Sequence, residues 1–572
     1  MVEDSSASFS FGRDEAFGIV EMVDTATVVV SVDDPAALAR IQVNRLVAIL
    51  GTRVGELYIG MVSKIVRKAN LDDLWTAGDG VSFASDTVKV LLVGTVREKD
   101  GTKKNVFKRS IASVPTVGVE VFLIEKDRLS ILMGAISGDV GDGIKRLNIG
   151  RYAIDEETPA IIDGDKFFQR HAAIVGSTGS GKSWLVAKVI EQVASLDSGN
   201  AILFDMHGEY SSLKGDQFKS MKIAGPSGSN PDDELFLPYW LLSHEELMSL
   251  MLDRSDQNAP NQAALFTRFV LEGKREYLIG CGHKDEAPKI TVDSPVPFSI
   301  EALIKKLEDK DVEMVPGSGG REKQGPYHGK LTRFVQRLGT RVGDKRLNFM
   351  FSNNPALTDY DYAATMVDNL MKPRGAEAGV KVIDFSEVPS DILPLITSVL
   401  ARLVFTVQQW TDLDRRHPVA LFCDEAHLYI PADTTEVMGV SARSSFQRIA
   451  KEGRKYGVGL VVISQRPHEV DKTVLSQCNN FLSMRLTNVD DQNTIKRLFP
   501  DNLGDLASVL PVLNTGEVVA VGDACVLPSR ILVEEPDHKP ISATVDFWTT
   551  WSSEAASPDY SSSIKALRLQ SR

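Results

Sequence analysis

The chain has 572 residues, 43% hydrophobic and 25% charged, proportions that exclude both a single small binding module and wholesale disorder. Its 64 Lys+Arg against 77 Asp+Glu leave a net charge of -13, which excludes coating of nucleic acid through bulk positive charge but not binding along one locally basic surface. The cysteines, Cys281, Cys423, Cys478 and Cys525, stand far apart with no CxxC pair, against a disulfide scaffold or zinc module. The opening residues lack a basic region leading into an apolar stretch, and no segment approaches the length of a membrane span; a cytoplasmic protein without a membrane anchor is expected.

From about Gly18 to Gly134 the apolar residues fall in short β-branched runs: Thr27–Val32, Leu46–Leu50, Leu57–Val66, Val88–Val96 and Val119–Ile124. Turn-forming clusters separate them, and the pattern predicts a small antiparallel barrel or sandwich. Asp100-Gly101 reads as a hairpin tip, with Arg97, Lys99, Lys103, Lys104, Lys108 and Arg109 nearby as the charges of a solvated hairpin or of a docking surface. After about Arg170 the texture changes to buried-strand runs alternating with helical periodicity, as in Ala172–Val175 followed by Trp184–Val193. Ala201–Phe204, Val419–Phe422 and Gly459–Ile463 continue it, predicting a parallel α/β sheet. Asp232–Lys372 reads as a helical insertion, broken by a Gly-rich mobile loop over Pro316–Gly329, and the Ser-rich tail from about Ser552 reads as flexible at least in part.

The strongest motif is Gly176-Ser177-Thr178-Gly179-Ser180-Gly181-Lys182-Ser183, between a predicted strand and a predicted helix. Its glycines free backbone N–H groups for phosphates, Lys182 reaches the β- and γ-phosphates of ATP, and Ser183 ligates Mg2+. Hydrolysis needs a carboxylate near the metal and a base for water. The apolar run Val419–Cys423 ending in Asp424 and Glu425 supplies both, Asp424 for the metal and Glu425 for the proton. Gln465 closes a third strand, either as a γ-phosphate sensor or as a polar strand cap. Arg454 sits at a basic helix end, where it either answers the helix dipole or projects into a neighbouring subunit's nucleotide. In Asp205-Met-His-Gly-Glu209-Tyr210 a buried strand runs straight into polar residues, which read either as a satisfied turn, since Asp and Gly form turns readily, or as polar groups, Glu209 among them, that face the nucleotide or the attacking water.

Together, His171–Ser183, Asp205-Met-His-Gly-Glu-Tyr210, Cys423-Asp-Glu-Ala-His427, Glu452-Gly-Arg-Lys-Tyr-Gly457 and Ser464-Gln-Arg-Pro467 resemble the HerA family of the HerA/FtsK P-loop ATPases. Met206, where Pro stands in many relatives, is a minor departure. The resemblance implies an α/β fold: a RecA-like core over 146–230 and 376–540, an N-terminal HAS-type β-barrel over 1–145, a helical insertion over 231–375 and a tail over 541–572. It further implies a homohexamer that hydrolyses ATP with Mg2+ and drives double-stranded DNA through its channel as a translocase or helicase. Its partner would be a NurA-type nuclease or a sirtuin-like or other effector, in DNA repair or antiviral defence. Arg443 and Lys214 are the candidate DNA contacts, and the stripe Arg333, Arg337, Arg341 reads first as a solvated helix face. The alternative is a nucleotide-gated ring scaffold that regulates an antiphage effector without processive translocation.

Overall fold

The computed structural model describes residues 9–43, 45–53, 55–69, 83–98, 105–109, 113–138, 146–226, 228, 234–316, 321–434, 437–541, 547–552 and 560–569. They form two compact units. The first runs up to Gln192 and takes back Gln465–His468 and Cys478–Pro536; the second holds Val193–Ser464, Glu469–Gln477 and the residues from Asp537.

The first unit opens with a barrel. Its strands, in spatial order, are Thr27–Val32, Ala16–Asp24, Glu120–Leu123, Leu46–Leu50, Glu56–Ala69 and Phe83–Glu98, and the last pairs back onto the first to close the ring. Asn105–Lys108 adds outside that closure, on the far half of Phe83–Glu98. Thr27–Val32 alternates half-buried and buried residues along its length, as a barrel wall must. Val28, Val30, Val47, Ile49, Tyr58, Val62, Val90 and Val121 fill the interior. Register shifts along Glu56–Ala69 bend that strand around the barrel.

The sequence pattern misses Ala16–Asp24 because a register shift between Val20 and Met22 breaks its alternation. The tip Lys99–Lys104 lies outside the described residues. Arg97, expected among solvated charges, instead sits opposite Glu56 across the ladder and donates to its Oε1 through Nε at 2.8 Å. Glu56 is buried, so Arg97 neutralises a carboxylate that would otherwise be stranded in a low-dielectric wall. Arg109 donates to the Gly522 carbonyl at 3.2 Å.

The rest of this unit carries the phosphate loop. Ala172–Val175 pairs in parallel with Asn480–Ser483, and the sheet continues antiparallel through Glu517–Gly522, Ser529–Val533, Arg146–Tyr152 and Asp155–Asp163. The sequence reading did not foresee the last two strands. Asp155–Asp163 opens on polar residues, and only its last four are buried.

The second unit is built on a parallel sheet in the order Glu234–Leu235, Phe218–Ile223, Val380–Asp384, Ala201–Asp205, Val419–Cys423 and Val458–Ser464. Three of these, Ala201–Asp205, Val419–Cys423 and Val458–Ser464, are buried at every position, which is why they read as unbroken apolar runs. The helices Leu393–Trp410 and Val437–Tyr456 pack closely on each other. Helices occupy most of 244–371 as expected. The expected Gly-rich loop is partly a hairpin, Met314–Pro316 against Glu322–Gln324, because Val315 and Lys323 pair across it; residues 317–320 lie outside the described residues. In the tail, Phe547–Ser552 and Ser561–Leu569 are helical, and in the second Ile564 and Leu567 stand at i, i+3 spacing.

Candidate active site

In the first unit the wholly buried strand Ala172–Val175 delivers the chain into Gly176, where a Cβ would lie 2.5 Å from Ser180 Oγ. Gly179 at φ +72° and Gly181 at φ +98° adopt left-handed backbone, which side chains resist. Helix Lys182–Ser195 begins at once, so its first N–H groups and the positive end of its dipole open onto the loop. The loop is fixed from several sides. Ser177 N donates to the Arg485 carbonyl at 2.8 Å, and Thr487 N donates to Ser177 Oγ at 3.1 Å. Thr515 Oγ1 donates to the Gly179 carbonyl at 3.1 Å, Gly516 N to the Ser180 carbonyl at 2.9 Å, and Thr178 Oγ1 to Gln465 Oε1 at 2.5 Å. Gln465 therefore touches the phosphate loop through Thr178.

In the second unit, the adjacent parallel strands Val380–Asp384, Ala201–Asp205 and Val419–Cys423 bring Asp384, Asp205 and Asp424 to their carboxyl ends. Asp205 is 1% exposed and organises the following turn. Its Oδ1 accepts the N–H groups of His207 at 3.3 Å and Glu209 at 3.1 Å, and its Oδ2 accepts that of Tyr210 at 3.0 Å. Burial pushes its carboxyl up to about 6, with the charges of Asp424 and Asp384 in the same direction and the Tyr210 and Glu209 N–H groups opposing. A raised carboxyl contributes stability that is complete below about pH 4 and is lost as pH rises through about 6. In metal-free buffer the melting temperature of the wild type should fall across that window, and Asp205→Asn should flatten the fall; thermal unfolding between pH 4.5 and 7.5 reads it.

Asp424 and Glu425 are both buried, at 2% and 3% exposure. Glu425 has φ +43°, a left-handed conformation that costs a non-glycine residue energy and persists where surrounding structure enforces it. His427 Nδ1 lies 3.4 Å from Glu425 Oε2 and 3.3 Å from Ser464 Oγ. Tyr429 donates its hydroxyl to the Asp424 carbonyl at 2.9 Å. The acidic pair is thus held in place from its own strand, from the turn after it and from the end of the next strand.

These donor sets fit ATP with magnesium. The loop has backbone where a Cβ would clash, a cation in Lys182 and a hydroxyl in Ser183 at a helix start, and Asp424 offers an anionic oxygen at a strand end. Strand, glycine loop and helix in the first unit form the phosphate-binding loop of a P-loop ATPase. Residues 147–404 match the family profile described as "Helicase HerA, central domain". A probable helicase of Methanocaldococcus jannaschii is 25% identical over 459 residues, 79% of this chain and 77% of its own. The DNA double-strand break repair helicase HerA of Sulfolobus acidocaldarius is 26% identical over 375 residues, 65% of this chain and 66% of its own. Among solved structures, VirB4 of Thermoanaerobacter pseudethanolicus covers 70% of this chain and 98% of its own at 18% identity and a TM-score of 0.45, too distant to bear on function.

Gly176–Ser183 and Gln465 come together in the first unit, and Asp205, Glu209, Asp424 and Glu425 gather at one end of the sheet in the second. Arg454 does not join them. It lies exposed in the last turn of helix Val437–Tyr456, just before Val458–Ser464, whose first residue pairs with Val419. Glu425 follows the opposite end of that pairing, a strand length of about 20 Å away. Lys214 is exposed in the loop after Tyr210. Arg443, expected as a DNA contact, donates through Nη1 to the Ala432 carbonyl at 3.1 Å. Sequence reasoning missed Thr487, Thr515, His427 and Ser464 as supports of the site. The His of Cys423–His427 was in view, but nothing in spacing alone pairs it with Ser464.

Proposed function

We propose that this chain is an ATP-driven motor that moves or unwinds double-stranded DNA as a homohexameric ring, with the barrel 1–145, the ATPase core 146–230 and 376–540, the helical insertion 231–375 and the tail 541–572 as its functional modules. The observation that carries the reading is the strained, buried Glu425 beside Asp424 in a chain that also holds an intact phosphate loop. A scaffold that only bound nucleotide would have no use for a base held at that cost.

In the proposed reaction Lys182 binds the β- and γ-phosphates and Ser183 and Asp424 hold magnesium, which when bound supplies charge neutralisation on the phosphate oxygens. Glu425 accepts the proton of the attacking water, with His427 fixing its orientation. Gln465, tied to Thr178, responds to loss of the γ-phosphate through the loop it contacts. Glu209 stands in the turn that Asp205 holds and faces nucleotide or water. Arg454 acts on the nucleotide of a neighbouring copy, which the sheet length separating it from its own Glu425 supports. Lys214 and the guanidinium donors of Arg443 not engaged by Ala432 contact DNA phosphates without reading sequence. The related repair helicases support DNA as substrate. Among the described residues no helix is long and apolar enough to cross a membrane, in keeping with a cytoplasmic site of action beside a nuclease or other effector.

Linear duplex DNA should stimulate hydrolysis, with a stimulation that falls steeply with salt and depends little on base sequence. ATPase rates with and without DNA across a salt series check this. A rate indifferent to DNA, with the partner effector present, would favour the scaffold reading instead.

A further inference from the structure

Helix Leu393–Trp410 ends on a tryptophan that is 83% exposed, and the turn after it carries Leu413 at 81%. Large apolar side chains this open are ordinarily either mobile or interfacial, and the segment that carries these two is braced. Arg416 donates through Nε to the Gln408 carbonyl at 3.0 Å, through Nη2 to the Thr411 carbonyl at 2.8 Å and through Nη1 to the Lys455 carbonyl at 3.4 Å. Its guanidinium lies 5.3 Å from the centre of the Tyr456 ring, which in turn meets Phe405 edge-on at 5.4 Å. Arg416 therefore fastens the turn holding Leu413, and the helix end holding Trp410, to the last turn of helix Val437–Tyr456. That last turn is where Arg454 stands exposed. Exposed charges of both signs, Asp412, Asp414, Arg415 and Lys455, surround the apolar pair, the arrangement of an interface with an aromatic anchor and a polar rim.

We infer that Trp410 and Leu413 are the anchor by which one copy of this chain docks on the next, carrying Arg454 to its neighbour's nucleotide. The inference rests on the reading of Arg454 as a group that serves a second copy. Charge complementarity selects the occupant. A guanidinium presented at the wrong end of the sheet for its own Glu425 fits a polyphosphate, and a second copy brings one in its loop Gly176–Ser183. Because Arg416 already holds the patch in shape, little ordering remains to be done on docking, which favours assembly.

The test uses the full chain. Sedimentation velocity over a dilution series gives the concentration of half-assembly, and ATPase rate per chain is read at the same concentrations. Trp410→Ala with Leu413→Ser should raise that concentration by about tenfold or more, the scale on which truncation of an interface aromatic is felt. Its ATPase rate should drop at low concentration and return as the chain is concentrated. Leu413→Ser alone should act in the same direction with smaller size, and Arg454→Ala should assemble as the wild type does yet fail to turn over. A double variant that assembles and turns over at wild-type concentrations overturns the anchor and leaves the Arg454 reading standing. A wild-type rate per chain that stays constant down to concentrations where the protein sediments as a monomer overturns both.

Discussion

Glu425→Gln is expected to lower ATP turnover by about 10²–10⁴-fold, the range in which a positioned general base acts, while leaving ATP affinity near that of the wild type. The amide keeps the shape of the side chain and its place in a buried, left-handed turn, but it cannot take a proton from water. Lys182→Ala should behave differently. It removes the cation that starts the helix after the phosphate loop, so binding itself should weaken along with turnover. Fluorescent-nucleotide titration and steady-state hydrolysis on both variants separate the two roles, and an equal loss of affinity in both would refute the assignment.

Arg454→Ala is expected to cost about 10³-fold or more in turnover, the contribution of a cation that stabilises transferring phosphoryl charge. The side chain is exposed and lies at the far end of the sheet from Glu425. Its removal should leave the fold and nucleotide affinity of each chain unchanged. Mixing Arg454→Ala with Lys182→Ala subunits should restore part of the activity, because some shared interfaces then pair an intact Arg454 with an intact phosphate loop. Rings shown to have exchanged subunits and still inactive would count against action between copies.

Chemistry that must lie on contiguous residues was legible in the sequence. The phosphate loop needs its glycines, lysine and serine in one run because a single turn of backbone wraps the phosphates, and the acidic pair needs an apolar strand immediately before it. The α/β class followed from strands buried on both faces, which leave unbroken apolar runs such as Ala201–Phe204. What returns from far along the chain was not legible. The Arg485 carbonyl and the Thr515 hydroxyl hold the phosphate loop, yet a carbonyl leaves no mark on composition and a threonine in a turn is unremarked. Arg97 read as a solvated charge because its partner Glu56 is set by strand register, which spacing does not reveal. The Asp205 segment reads either as a satisfied turn or as groups facing the nucleotide, and the three backbone N–H groups on the Asp205 carboxylate bear out the turn. The part of Asp205 is to hold Glu209 in place.

On the proposed function, hydrolysis at Glu425 drives movement along duplex DNA. The most direct measurement is displacement of a third strand from a duplex by the full chain, followed in ATP. ATP-dependent displacement by the wild type is expected, with none by Glu425→Gln and little change when the duplex sequence is altered. Hydrolysis that DNA stimulates without any displacement of the third strand would contradict it and would make the ring a nucleotide-gated scaffold.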